Sequence, residues 1–261
     1  MLRRVLSVYR YYKKPLKSGF LWAFKRTESF NFYYDLSELN MYYLKHFIAE
    51  IFDVNYSLVD YYCDEFLSNE TLVNHLALKL RSNRSTMDSQ PAFGRRIAWY
   101  VIARITKPKI VLESGVFQGV GSLVMLEALR FNRSEGFQGS YFGIDIDPSS
   151  GSFLNGYPTA SASLIIGDSI EKLSEIEGPI DLYINDGDHN PIYEYRELEA
   201  IRKYLSPQAV LIADNAHVSP ALADWCINFD MKFHFFSEKP DRHWYPGGGV
   251  GVAKNRSIKP N

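Results

Sequence analysis

The sequence predicts an α/β fold: a mainly parallel seven-stranded sheet with helices on both faces, an antiparallel C-terminal strand, and a helical N-terminal region. Three observations predict it. After Pro108, short β-rich apolar runs alternate with helix-period segments. The early runs are continuously apolar, as in parallel strands covered on both faces. The last two runs flank a Pro/Gly-rich loop with no helix between them, which makes them antiparallel neighbours.

Taken in chain order, residues 1–26 carry eight basic residues (Arg3, Arg4, Arg10, Lys13, Lys14, Lys17, Lys25, Arg26) and no acidic one. Aromatics such as Tyr9, Tyr12, Phe20 and Trp22 are interleaved with them. This composition reads as a peripheral membrane-surface segment, or as an arm packing on its own domain or on a second subunit of a homo-oligomer. Residues 37–105 read as mostly helical, with Met41, Leu44, Phe47, Ile48, Ile51 and Phe52 at helical spacing, then Leu72, Leu76 and Leu80. A further helix over 93–105 must end before Pro108, because proline disfavours helix in the residue preceding it. Residues 1–92 are therefore expected to form a helical region for oligomerisation or substrate cover, and 93–261 the α/β domain.

The expected strands are Ile110–Leu112, Tyr141–Ile144, Leu164–Ile166, Leu182–Ile184, Val210–Ile212, Phe233–Phe236 and Val250–Ala253. Intervening helices are expected at Ser122–Leu129, Ile170–Ile176 and Tyr193–Tyr204.

The bulk numbers narrow the partners. A net charge of −1 offers no electrostatic footprint for nucleic acid. The aromatic share of 15% suits pockets and interfaces. Cys63 and Cys226 stand far apart in no metal or redox spacing, so two free thiols and a reducing compartment are expected. With no signal-like start and no apolar run long enough to span a bilayer, the cytoplasm is the expected location.

In an open parallel sheet, ligands bind beyond the carboxyl ends of the strands. The first strand runs into Glu113-x-Gly115-x-x-x-Gly119-x-Gly121-Ser122 at a helix start, where glycines allow close backbone approach to a ligand. The spacing is not that of a dinucleotide fingerprint, which disfavours an NAD-dependent oxidoreductase. The second strand ends at Asp145, placed to accept from ribose hydroxyls, and the third at Asp168-Ser169, which can meet an adenine edge or cap the next helix. The fourth and fifth deliver Asp186, then Asp214 and Asn215: three oxygen donors of the kind that hold magnesium. The bland alternative is turn and cap residues. His189, three residues past Asp186, is a candidate general base, with His217 second.

These motifs resemble class I S-adenosylmethionine-dependent methyltransferases, a Rossmann-like fold, over about residues 93–254. Val111–Ser122 is similar to the family's first motif, and Gly143-Ile144-Asp145 to its ribose-binding acid. Leu211–Asn215 resembles the metal segment of catechol O-methyltransferase, and Asp186–His189 resembles bacterial sugar and macrolide-glycoside O-methyltransferases. The resemblance implies S-adenosylmethionine held by Glu113, Gly115, Gly119, Gly121, Ser122, Asp145, Asp168, Ser169 and Asp186. It implies magnesium on Asp186, Asp214 and Asn215, His189 as the base, and a small-molecule hydroxyl, such as a sugar's, as acceptor. The late loop over 239–249 is expected to be either a substrate lid, with Trp244 or Tyr245 stacking on that acceptor, or a solvated hairpin loop. The competing expectations are a metal-independent N- or O-methyltransferase and a non-catalytic binding protein.

Overall fold

The computed structural model describes residues 2–27, 29, 33–82, 90–158 and 162–255. Met1 of the basic arm, residues 83–89 of the expected helical region and residues 256–261 lie outside them. Five helices come first: α1 (Leu2–Ala23), α2 (Glu38–Phe52), α3 (Tyr56–Leu67), α4 (Glu70–Ser82) and α5 (Arg96–Thr106). Next come β1 (Ile110–Ser114), α6 (Val120–Ser134), β2 (Ser140–Asp145), β3 (Ala162–Ile166), α7 (Ser169–Lys172) and β4 (Ile180–Asn185). The chain continues through α8 (Pro191–Ile201), β5 (Leu205–Ala213), α9 (Ala221–Asn228), β6 (Met231–Ser237) and β7 (Gly249–Asn255).

The seven strands form one sheet in the order β3-β2-β1-β4-β5-β7-β6. Strands β1 to β5 are parallel, and β7 runs antiparallel to both β5 and β6. The order reverses at β1, so the β1 and β4 tips flank the crevice where this topology binds ligands. Outside the sheet, Leu36 bridges Pro240. Ser37 N–H donates to Lys239 O at 2.9 Å and Asp241 N–H to Asp35 O at 2.8 Å, tying the segment before α2 to the β6–β7 loop.

Alternation along the strands divides the core in two. Val111, Leu182, Ile184, Val210 and Ile212 face the α2–α6 side, and Leu112, Tyr183, Leu211 and Ala213 face α8 and α9. Trp99 of α5 and Trp225 of α9 are the largest apolar side chains fully buried on either side; burying such a residue contributes on the order of 2–3 kcal/mol.

Two sequence expectations are adjusted. The helix expected over 170–176 is a single α-turn followed by a 3-10 turn at Leu173–Glu175. Cover on both faces also fails at the sheet edge, where Leu164 and Ile166 of β3 are 38% and 41% exposed. Of the two, the β-branched Ile166 satisfies strand preference without a second layer.

Candidate active site

The tips of β1, β2, β3 and β4 border a cavity of about 530 Å³. Its lining includes Gly115, Phe117, Gln118, Asp145, Ile146, Asp168, Ser169, Asp186 and Tyr193. Gly115 is required at the turn: its φ is +85°, and a Cβ there would overlap the Asp186 carbonyl. Asp145 fixes the same turn, accepting from Val116 N–H at 2.8 Å and Phe117 N–H at 2.7 Å through Oδ2, and from Asp147 N–H at 2.9 Å through Oδ1. Those bonds use three of the roughly four acceptor sites of a carboxylate. Asp168 caps α7 by accepting from Ile170 N–H at 2.9 Å, while its other oxygen accepts from the Tyr193 hydroxyl at 2.9 Å. Both roles foreseen for that residue are geometrically open.

Four of the residues read from the sequence as cofactor-binding do not line this cavity. Glu113 and Gly121 border a second cavity, and Gly119 and Ser122 line neither. Strand alternation turns the Glu113 side chain to the α5–α6 face, where it accepts from Ser122 Oγ at 2.9 Å and from Tyr141. A Cβ on Gly121 would strike Glu113 and Trp99, so that glycine makes room for α5 to pack closely. Gly119 lies against Gly151 and Leu154. Burial lifts the Glu113 carboxyl to about 7, against the lowering effect of its two hydroxyl donors and Arg96.

The second cavity, of about 450 Å³, adjoins the first through Phe117 and Asp186. It is bordered by Tyr33, Arg95, Arg96, His189, Asn215, His217, Val218 and Tyr245 among others. The two arginines decide its character. Arg95 Nη2 pairs with Asp214 Oδ2 and donates to Asn215 Oδ1 at 3.0 Å; its Nη1 and backbone N–H hold Glu238 at 3.1 and 2.7 Å. Arg96 Nη2 donates to Asp186 Oδ2 at 3.1 Å, and its guanidinium stacks over Tyr33 and Trp99. Burial opposes the Asp214 charge, but Arg95 and Arg96 outweigh it and hold that carboxyl low. Asp186 goes the other way: burial and the neighbouring Asp214 raise it well above the usual carboxylate range, against Arg96. Two guanidiniums thus face the carboxyl groups of Asp186, Asp214 and Glu238.

As a magnesium site the set does not fit. Each of Asp186, Asp214 and Asn215 directs an oxygen at a guanidinium, and a divalent ion would have to displace two buried cations. Among the described residues, no group of three His, Cys, Asp or Glu side chains is placed to hold a metal ion.

His189 stands beside this cluster. Because Asn215 Oδ1 accepts from Arg95, the Asn215 amide must present Nδ2–H to His189 Nε2, 2.8 Å away. Nε2 is then the acceptor nitrogen, and Nδ1 faces Glu194 Oε1 at 3.6 Å. His217 Nε2 lies 3.0 Å from the Tyr245 hydroxyl, and burial followed by Arg95 lowers its pKa. Trp244 is taken by another partner: it stacks on Trp22 with centroids 4.1 Å apart, leaving Tyr245 as the ring of that loop on the cavity.

Sequence reading missed Arg95 and Arg96, although a signal existed. They open a helix whose next seven residues, Ile97–Ala103, are all apolar, and arginine buried in such surroundings demands acidic partners. Both cysteines are free, as expected, and both are buried.

Comparison with known proteins bears on this geometry. Residues 112–216 match a family model described as a methyltransferase domain. No curated protein sequence matches the chain. Among solved structures, the O-methyltransferase TomG of Streptomyces achromogenes, involved in tomaymycin synthesis and crystallised with S-adenosylmethionine, is 19% identical with a TM-score of 0.52, covering 73% of this chain and 91% of its own. The methyltransferase PaMTH1 of Podospora anserina, bound to S-adenosylhomocysteine, is 18% identical at TM-score 0.53, covering 76% and 94%. An O-methyltransferase of Bacillus cereus, with the same ligand, is 16% identical at TM-score 0.53, covering 76% and 97%. The seven-stranded order, the glycine turn at the β1 tip and the family match identify residues 112–216 as a methyltransferase domain of the class I fold.

Proposed function

We propose that this chain transfers the methyl group of S-adenosylmethionine to a hydroxyl of a small molecule. The observation that carries the reading is the pair of cavities meeting at Phe117 and Asp186, one against the glycine turn and the other holding His189. The cofactor complexes of structures with the same fold support S-adenosylmethionine in the first cavity. The second cavity takes the acceptor: Val116, Val120 and Val218 beside Tyr33 and Tyr245 suit a compact amphipathic molecule. The resemblance of Asp186–His189 to sugar-modifying enzymes favours a sugar hydroxyl within that class. Residues 93–261 are read as the catalytic unit, with 1–92 as its cover.

The sulfonium methyl is already activated, so the protein has mainly to align an oxygen with it. The acceptor hydroxyl replaces the Asn215 amide at His189 Nε2 and gives up its proton there as the oxygen–methyl bond forms. The methyl–sulfur bond breaks, and its electron pair leaves on S-adenosylhomocysteine. Nδ1–H, facing Glu194, stabilises the resulting imidazolium. Arg95 and Arg96, paired with Asp214, Glu238 and Asp186, hold the charged cluster beside His189 together.

The test is methyl transfer from radiolabelled S-adenosylmethionine to a panel of sugar and phenolic hydroxyls, with calorimetry of S-adenosylhomocysteine alongside. Product formation unaffected by EDTA supports the arginine reading. An absolute requirement for magnesium restores the metal, and failure to bind S-adenosylhomocysteine removes the proposal altogether.

A further inference from the structure

Neither cavity uses α1. None of its 22 residues is buried. Leu2, Val5, Leu6, Tyr9, Leu16 and Phe20 fall at helical spacing on one face, each between 56% and 74% exposed. Arg3, Arg10, Lys14 and Lys17 form the stripe beside them, and the helix contains no acidic residue. An apolar stripe of this length is rarely left open to water.

We propose that α1 lies in the surface of an anionic lipid bilayer, with its apolar face in the acyl boundary and its basic stripe on the headgroups. Charge complementarity selects that occupant. A second copy of α1 on the same face would bring like-charged stripes together, whereas anionic headgroups neutralise them. The helix is also built to lie on a membrane rather than to cross it: among the described residues, no helix is long and apolar enough to span one. Tyr9, on the apolar face, is of a residue type that favours headgroup depth. Through the Trp22–Trp244 stack the helix is joined to the loop whose Tyr245 walls the second cavity.

The experiment is co-sedimentation of the full chain with vesicles of phosphatidylcholine, with and without phosphatidylglycerol. Binding should be about tenfold or more stronger to the anionic vesicles and should fall as salt is raised. Arg10→Glu/Lys14→Glu/Lys17→Glu and, separately, Leu16→Asp/Phe20→Asp should each abolish it while the melting temperature is kept, because those side chains are not buried. Equal binding to both vesicle types, or binding that both variants retain, overturns the proposal. So does a dimer in analytical ultracentrifugation that vesicles leave intact and Leu16→Asp/Phe20→Asp splits, which would assign the face to self-association.

Discussion

The two cavities share a wall but are built differently. The first is made by residues that immediately follow strands: Gly115 and Phe117 after β1, Asp145 and Ile146 at the end of β2, Asp168 after β3, Asp186 after β4. The second is assembled from distant stretches, Tyr33 before α2, Arg95 and Arg96 at the start of α5, His189 and Asn215 at strand tips, and Tyr245 from the β6–β7 loop. A site made of consecutive turns is written locally; one made by packing depends on how far segments travel to meet. The first is held by backbone hydrogen bonds, the second by buried charge.

If the second cavity houses the chemistry, the largest effect belongs there. His189→Ala should lower kcat by about 10²–10⁴-fold, the usual contribution of a general base, while calorimetry shows unchanged affinity for S-adenosylhomocysteine. A loss smaller than about tenfold would take the base role away from it.

The charge cluster comes next. Arg95→Met strands Asp214 and Glu238 and should cost about 3–5 kcal/mol in urea unfolding. Adding Asp214→Leu should recover part of that cost. If the single variant is as stable as the parent, the cluster is not what joins α5 to the β5 tip.

Glu113 gives a pH signature of about 3 kcal/mol at most. Its folded pKa is raised from 4.5 to about 7, so between those values the folded state binds more protons than the unfolded one. Stability should therefore fall as pH rises through that window, with the cost complete above about 7. Asp186, also raised, acts with the same sign. In Glu113→Gln the slope should flatten; an unchanged slope would mean that Glu113 ionises freely.

The smallest effect tests the first cavity. Asp168→Ala removes the α7 cap and should cost about 1 kcal/mol. A loss of S-adenosylhomocysteine affinity beyond that cost would show the second role of the carboxylate. Unchanged affinity would leave it a cap alone.

The sequence by itself determined the α/β class, all seven strands and the antiparallel C-terminal pair, because apolar runs and breakers report secondary structure directly. It also determined which strand tips carry Asp145, Asp168, Asp186, Asp214 and His189, since the topology fixes where residues following a strand emerge. The tertiary structure alone decided what those side chains touch. Glu113 sits one residue before the end of β1, and strand alternation turned it away from the first cavity into a buried contact with Tyr141. Asp214 and Asn215 read as oxygen donors awaiting a cation, and α5 brought the Arg95 guanidinium to them from more than a hundred residues away. Spacing along the chain specifies donors; the partner that neutralises a buried charge comes through packing, and no local pattern encodes it.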